Sequence, residues 1–132
     1  MKSIALLLGC LLFLSSSLFA STRHNHPQVN AQATQKMAWA GNCEVEINNQ
    51  SYTDVQVFGV FDDGVYLDPF NIYSFSPSHY ISLYYNGYCH AGIDLDIDTF
   101  TGYHVFGYYV RRGTTVLIVP DMMNRLRATI KN

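Results

Sequence analysis

The fold is decided by residues 89–98, which read Cys-His-Ala-Gly-Ile-Asp-Leu-Asp-Ile-Asp. Apolar and acidic side chains alternate there, so that Ile93, Leu95 and Ile97 share one face and the aspartates share the other. A period of two residues is typical of a β-strand with one buried and one solvated face. The same alternation occurs over residues 43–49. The sequence therefore predicts an all-β fold built from short strands.

Short turns that end in glycine separate the predicted strands. Each has two ordinary residues before the glycine, which suits a three-residue hairpin loop with the glycine at positive φ. The turns are Asp62-Asp63-Gly64, Tyr85-Asn86-Gly87, Phe100-Thr101-Gly102 and Arg111-Arg112-Gly113. With such loops apolar faces meet apolar faces across each hairpin, which predicts an antiparallel meander from about Tyr80 to Val119.

The predicted loops also fix the register of the meander. The predicted partners are Tyr84 with Tyr88, Asp98 with His104, Ile97 with Val105, Tyr108 with Val116, and Phe106 with Ile118. Further strands are predicted near residues 43–49, 54–61, 65–67 and 70–75, which gives seven or eight in total. We therefore predict a small antiparallel β-sandwich, immunoglobulin-like in general architecture, with a small closed β-barrel as the alternative.

Composition limits the class of protein and its partners. The chain has 132 residues, of which 48% are hydrophobic and only 14% are charged. The length suits one domain, and the hydrophobic fraction suits a packed core. The charged fraction is below the roughly 25% of typical globular domains. With a net charge of −2, no nucleic-acid partner is expected. Because residues 41–110 contain no Lys or Arg, a cationic partner is favoured over an anionic one.

The beginning of the chain has the pattern of a signal peptide. Lys2 precedes an apolar run, and residues 1–20 end in Ala20, a small residue suited to cleavage. The apolar run is too short to favour the alternative of an uncleaved membrane anchor, and no membrane span is predicted elsewhere. We therefore expect the mature protein to be secreted or periplasmic.

The remaining chain divides into three predicted parts. Residues 21–40 are polar and predict a flexible N-terminal tail, whereas residues 41–120 form the predicted β-sandwich domain. Residues 121–132 predict a short helix or a tail, because Met122, Met123, Leu126 and Ile130 have helical spacing after Asp121. Such a helix would cover an outer apolar patch formed by Phe106, Tyr108, Val116 and Ile118.

Two cysteines follow the predicted signal peptide, Cys43 and Cys89. An even pair in an exported chain indicates a disulfide bond. Closing the long loop between them would stabilise the fold by about 4 kcal/mol in the chain-entropy estimate. Two free buried thiols or a metal-binding pair are the alternatives.

The predicted outer face of the meander favours a binding function. It combines tyrosine rings with carboxylates and imidazoles, groups that stack on sugars or form protein interfaces. The candidate ligand-binding residues are Tyr80, Tyr84, Tyr88, His90, Asp94, Asp96, Asp98, His104 and Tyr108. Because strands favour tyrosine in general, packing of these rings between the sheets is the alternative.

The sequence offers little for catalysis or metal binding. It contains no nucleophile elbow and no zinc-protease helix motif, so no enzyme activity and no cofactor are expected. Asp96, Asp98 and His104 form a weak candidate metal site, since alternate strand residues lie roughly 6.6–7 Å apart. Asn49-Gln50-Ser51 matches a glycosylation sequon.

The predicted function is that of an exported, non-enzymatic binding domain. A protein partner is favoured over a glycan for its Tyr/Asp/His face. The alternative is a structural subunit that assembles into a homo-oligomer through that face, and a metal-binding protein is a weaker third hypothesis.

Overall fold

The computed structural model describes residues 22–28, 43–123 and 125–132, so the predicted signal peptide lies outside the described residues. Within these residues the chain forms eleven β-strands and no helix. The strands are β1 (Arg23–His24), β2 (Glu44–Asn49), β3 (Val55–Phe61), β4 (Phe70–Ile72), β5 (His79–Ser82), β6 (Tyr84–Tyr85), β7 (Tyr88–Cys89), β8 (Gly92–Thr99), β9 (His104–Arg111), β10 (Thr115–Pro120) and β11 (Leu126–Lys131). The described part of the chain contains no helix long and apolar enough to cross a membrane.

The strands form two main sheets that enclose one core. The five-stranded sheet has the order β1-β5-β2-β10-β11, and the four-stranded sheet has the order β4-β3-β8-β9. Strands β6 and β7 form a separate small hairpin. The described strands make two sheets rather than one closed sheet, so the predicted β-sandwich is confirmed and the closed barrel is wrong.

The core lies between the sheets and consists of the alternating apolar side chains. Val45 and Ile47 of β2 are fully buried, as is Ile97 of β8, while the intervening Asp94 and Asp96 are exposed. Pairing in the four-stranded sheet is antiparallel throughout, whereas β2 runs parallel to β10 in the other sheet. The period-two pattern thus has the predicted physical cause, one buried face per strand.

The predicted disulfide bond between Cys43 and Cys89 is confirmed. The two Cα atoms lie 5.7 Å apart, and the bond joins the residue before β2 to the end of β7. The backbone N–H of Leu83 donates a hydrogen bond to the carbonyl of Cys43 at 2.8 Å, on the same side of the molecule. The bond therefore ties the small hairpin to the five-stranded sheet.

The hairpin of β8 and β9 follows the prediction in part. Asp98 lies opposite His104, and the loop at Phe100-Thr101-Gly102 has three residues, as predicted. Ile97 lies opposite Phe106 rather than Val105, because a β-bulge shifts the register between Ile97 and Asp98. The bulge adds one residue to β9 and turns Phe106 into the core, where it is 5% exposed.

The predicted hairpin at Arg111-Arg112-Gly113 is wrong, because the chain changes sheets there. The N–H of Gly113 donates a hydrogen bond to the backbone carbonyl of Glu44 at 2.8 Å, and β10 then pairs with β2 and β11. Neither predicted pair, Tyr108 with Val116 or Phe106 with Ile118, forms. Val116 and Ile118 are fully buried, so the expected outer apolar patch does not exist.

The hairpin at Asn86-Gly87 has a two-residue loop, so the predicted pair of Tyr84 and Tyr88 is wrong. Tyr85 lies opposite Tyr88, and φ is positive at Asn86 (52°) and Gly87 (85°). Asn-Gly is the preferred pair for a turn that needs positive φ twice. The prediction of a three-residue loop failed because it assumed that His90 lies on a solvated face, whereas His90 is only 8% exposed.

The C-terminal segment forms strand β11, so it is neither the predicted short helix nor the alternative tail. It pairs with β10 from Thr115 opposite Lys131 to Pro120 opposite Leu126. Asp121 reverses the chain, because its Oδ1 accepts hydrogen bonds from the backbone of Met123 (2.8 Å) and Arg125 (2.9 Å). The residue expected to cap a helix therefore closes a turn between two strands.

Part of the predicted flexible tail packs on the domain. Within residues 21–40, the described stretch 22–28 contains β1, which pairs parallel with β5. His26 is 1% exposed, and its Nε2 lies 2.9 Å from Oδ2 of Asp63. The tail prediction is therefore wrong for residues 22–28, because histidine rings pack here as aromatic side chains.

Candidate functional site

The residues predicted to share one binding face lie in separate places. Asp94, Asp96, Asp98 and His104 occupy the outer face of the four-stranded sheet, as predicted. Tyr80 belongs to the five-stranded sheet, and Tyr84 and Tyr88 belong to the β6-β7 hairpin. The expected continuous Tyr/Asp/His face is therefore wrong, because the meander divides between two sheets.

The acidic row on β8 retains one predicted interaction. Nδ1 of His104 lies 2.8 Å from Oδ1 of Asp98 in an exposed pair. A Cβ on Gly107 would come within 2.6 Å of Nε2 of His104 and 2.9 Å of Oδ1 of Asp96, so Gly107 gives these groups space. Among the described residues, no three His, Cys, Asp or Glu side chains lie where they could hold a metal ion. The geometry does not support the weak metal site at Asp96, Asp98 and His104.

His90 and Tyr108 are displaced from the acidic row for different reasons. The His90 ring stacks on Tyr85 with centroids 3.6 Å apart and on Tyr88 at 4.0 Å. His90 is therefore a packing residue of the hairpin. Tyr108 lies opposite the buried Leu95, so it belongs to the inner side of β9, although its ring is 70% exposed at the sheet edge.

One end of the sandwich carries most of the exposed large apolar side chains. The strand registers bring the connections β2-β3, β4-β5, β8-β9 and β10-β11 to the same end, which we call the loop end. Of twelve exposed large hydrophobic residues in the described chain, seven lie in these connections: Tyr52, Tyr73, Phe75, Phe100, Tyr103, Met122 and Met123. A concentration of exposed large apolar side chains on a small domain is typical of an interaction site.

The opposite end shows that this exposure is not a general property of the turns. Most of its exposed turn residues are the polar and flexible residues that turns ordinarily use, namely Asp62, Asp63, Gly64, Asn86, Gly87, Arg111, Arg112 and Gly113. The exposed aromatic residues there are Tyr66 in the β3-β4 connection (74%) and Tyr88 beside the Asn86-Gly87 turn (58%). The two ends therefore differ in chemistry, and large side chains in turns are confined mainly to the loop end.

A buried polar network fixes the loop end to the sandwich. The Asn49 side chain is fully buried, and its Nδ2 donates to the carbonyls of Thr53 (2.8 Å) and Ile72 (3.2 Å). Its Oδ1 accepts from the hydroxyl of Ser51 at 2.6 Å and from the Ser51 N–H at 3.1 Å. Because both amide atoms are used inside the protein, the Asn49-Gln50-Ser51 sequon is not an accessible glycosylation site in the folded protein.

Phe75 is held in an unusual backbone conformation beside this network. Its φ is 53°, a left-handed value that bulky side chains seldom adopt, yet its ring is 58% exposed. The Phe75 N–H donates to the carbonyl of Asn49 at 3.1 Å, and the ring meets Tyr52 edge-on at 5.0 Å. Backbone strain of this kind is concentrated at functional sites, because a turn alone would be better served by glycine.

A cleft of about 350 Å³ opens at the loop end. Its aromatic lining residues are Tyr52 and Phe100, and the others are polar: Thr53, Asp54, Ser74, Thr99 and Thr101. Asp54 Oδ1 accepts a hydrogen bond from the Ser74 N–H at 2.8 Å, which joins the 50–54 and 73–78 connections. The Thr99 hydroxyl lies 2.9 Å from that of Thr101. Residues of three connections thus line one small, open cleft.

None of these loop-end residues was among the predicted ligand-binding residues. One available signal was Phe100 at the first position of the Phe100-Thr101-Gly102 turn, where a large aromatic side chain has no structural use. A second was the aromatic run around Tyr73 and Phe75 between two short strands. Bringing these signals together requires the knowledge that β2-β3, β4-β5 and β8-β9 connect at one end.

The second notable cluster of side chains is centred on His24, in the N-terminal stretch that packs on the domain. Its ring stacks on Phe70 with centroids 3.4 Å apart, and its Nε2 lies 2.8 Å from Nδ1 of His79. Burial, with a smaller contribution from His79, lowers the pKa of His24 to about 4. Burial also lowers the pKa of His79. Because both shifts favour neutral imidazoles, this contact is suited to neutral rather than acidic pH.

Comparison with known proteins supports the fold alone. No family model and no curated protein matches the chain. The NMR structure of a protein from Eubacterium rectale is similar, with a TM-score of 0.50 and 20% sequence identity. The match covers 67% of this chain and 87% of that protein. At this identity the similarity concerns the arrangement of strands and carries no activity or ligand.

Proposed function

We propose that this protein is an exported, non-enzymatic binding domain that recognises its partner through the loop end. The disulfide bond between Cys43 and Cys89 is compatible with an extracellular or periplasmic location. The proposal places the binding surface on the connections rather than on the Tyr/Asp/His sheet face expected from the sequence.

The observation that carries the proposal is the concentration of exposed aromatic and methionine side chains at one end of the sandwich. Tyr52 is 82% exposed and Phe100 is 56% exposed, so neither ring contributes much to the core. Large aromatic rings are the side chains that most often anchor binding partners. The buried Asn49 network below them supplies the rigid support that reduces the entropic cost of binding.

The test compares two double variants, each of which removes two exposed aromatic rings. Tyr52→Ser with Phe100→Ser alters the loop end, whereas Tyr66→Ser with Tyr108→Ser alters other parts of the surface. Each protein is immobilised and incubated with an envelope and extracellular extract of the organism that makes it. Captured proteins and glycans are then identified by mass spectrometry.

The proposal predicts a partner that the wild type and the Tyr66/Tyr108 variant retain and that the Tyr52/Phe100 variant loses. Equal melting temperatures would show that all three proteins are folded. Equal capture by the two variants would contradict the proposal, as would loss of the partner only in the Tyr66/Tyr108 variant.

A further inference from the structure

We propose that the cleft between Tyr52 and Phe100 binds a neutral carbohydrate. This proposal rests on the proposed function, because it names the ligand class of the same loop end. The argument starts from the side chains that line the cleft and asks which ligand chemistry matches all of them.

The walls of the cleft provide flat apolar surfaces. Tyr52 and Phe100 lie on two different connections and present exposed rings beside polar groups. A sugar ring has the complementary character, with faces of C–H groups and edges of hydroxyls. Aromatic rings bury such faces and leave the hydroxyl edges for hydrogen bonds.

The remaining lining matches the hydroxyl edges of a sugar. Thr53, Ser74, Thr99 and Thr101 supply hydroxyl groups, which both donate and accept hydrogen bonds, and those of Thr99 and Thr101 already lie 2.9 Å from each other. Asp54 supplies a carboxylate that accepts hydrogen bonds, and its Oδ1 is oriented by the Ser74 N–H. Donors and acceptors are thus mixed within one small site, which is the requirement for recognising a polyhydroxylated ligand.

The charge of the cleft argues against an anionic ligand. Its lining contains one acidic residue, Asp54, and neither Lys nor Arg. A phosphate or uronic-acid group would meet the carboxylate without a cation to balance it. An entirely apolar ligand would cover the Asp54 carboxylate without donating a hydrogen bond to it, which costs binding free energy.

The size of the cleft limits how much of a glycan it holds. Its volume of about 350 Å³ lies at the low end of the range for small-molecule sites, roughly 300–1,000 Å³. The cleft is therefore suited to a short segment of an oligosaccharide. Phe75, which contacts Tyr52 edge-on, supports one aromatic wall from the side.

The experiment is calorimetric titration of the protein with four neutral tetrasaccharides, built from glucose, mannose, galactose or N-acetylglucosamine. A tetragalacturonate serves as the anionic comparison. The proposal predicts millimolar or tighter binding of at least one neutral sugar and none of the anionic one. Tyr52→Ala and Phe100→Ala should each weaken that binding at least about tenfold.

Further variants separate stacking from folding. Tyr52→Phe and Phe100→Tyr keep a flat ring and should retain binding, and Tyr66→Ala should bind as the wild type does. Unchanged melting temperatures would show that the exposed Tyr52 and Phe100 are not needed for the fold.

Three results would overturn the carbohydrate proposal. They are failure of every neutral sugar at millimolar concentration, equal binding by the Tyr52→Ala and Phe100→Ala variants, and preference for the anionic sugar. If the sugars fail while the Tyr52/Phe100 double variant loses a captured protein, the ligand class is wrong and the loop end remains the binding surface. If neither sugar nor partner depends on these rings, both proposals fall.

Discussion

Asn49 is fully buried, and both atoms of its side-chain amide are hydrogen-bonded within the protein. The amide joins the start of the 50–54 connection to the end of β4, through the carbonyl of Ile72. Removing it would leave buried backbone groups without partners, each at a cost of about 1–3 kcal/mol. This single side chain therefore positions part of the loop end.

Asn49→Ala should lower the free energy of unfolding by about 3 kcal/mol, because it removes several buried hydrogen bonds together. Urea denaturation measures this change, and hydrogen exchange should show less protection in residues 50–54. Gln50→Ala is the matched control, since Gln50 is exposed and should change stability by less than about 0.5 kcal/mol. Equal stability of the two variants would contradict the role given to Asn49.

Two glycines of the four-stranded sheet should differ sharply when each is replaced by alanine. A Cβ on Gly92 would meet the backbone oxygen of Val110 and come within 2.7 Å of the Tyr109 ring, so Gly92→Ala should destabilise by about 1–3 kcal/mol. A Cβ on Gly107 would meet only the ends of the His104 and Asp96 side chains. Gly107→Ala should therefore leave thermal stability nearly unchanged, and a larger loss there than at Gly92 would contradict the packing.

For individual residues, the alternation of apolar and polar side chains predicted some contacts and missed others. Asp98 and His104 lie opposite each other as predicted, because the loop at Phe100-Thr101-Gly102 fixes their distance from the turn. The bulge one step further along depends on how Phe106 packs against the other sheet, which local alternation does not encode. His90 was predicted on the solvated face because histidine was counted as a polar residue, whereas its ring stacks on Tyr85 in the structure.

Strands β10 and β11 show that local sequence patterns also fail to predict some whole elements. Residues 121–132 have apolar side chains at helical spacing, yet the segment pairs with β10. Pairing with the edge of β10 satisfies the backbone hydrogen-bonding groups of residues 126–131. This tertiary pairing outweighs the weak local preference of the segment for a helix. The parallel pairing of β2 with β10 joins residues far apart in the chain, so hairpin rules could not have predicted it.

The N-terminal stretch predicts a pH dependence of stability. Between about pH 6.5 and pH 4 the unfolded chain binds a proton on His24, whereas the folded protein, with the His24 pKa near 4, does not. The free energy of unfolding should therefore decrease as the pH falls through this range. His79 acts in the same direction, because burial also lowers its pKa.

Thermal melts of the wild type and His24→Phe at pH 7 and pH 4.5 measure this dependence. Phenylalanine keeps a ring on Phe70 but does not titrate, so the variant should lose less stability on acidification. Gln50→Ala, which changes an exposed side chain that does not titrate, should keep the slope of the wild type. A His24→Phe variant with the full wild-type slope would contradict the assignment.

For the molecule as a whole, composition, alternation and the cysteine pair were sufficient to predict a disulfide-linked β-sandwich. The even pair of cysteines was informative, and in the fold the Cα atoms of Cys43 and Cys89 lie 5.7 Å apart. The candidate site was not predicted, because the prediction of a Tyr/Asp/His face assumed that the whole meander lies in one sheet. The loop end became visible only when the strand registers showed that the connections β2-β3, β4-β5 and β8-β9 lie at one end.

The disulfide bond should make a large contribution to global stability. Replacing both Cys43 and Cys89 by Ser should lower the free energy of unfolding by about 4 kcal/mol, because the unfolded chain regains the freedom of a long loop. Urea denaturation of the double variant beside the oxidised wild type measures this difference. A change below about 1 kcal/mol would show that the bond is incidental to the fold.

The central claim is that binding occurs at the loop end, and amide chemical-shift mapping by NMR tests it most directly. The isotope-labelled protein is titrated with the sugar or captured partner that binds it, and the shifted amides are assigned to residues. We predict shifts concentrated in residues 50–54, 73–76 and 99–103. Shifts centred instead on Asp94, Asp96, Asp98 and His104 would contradict the claim and return the site to the outer face of the four-stranded sheet.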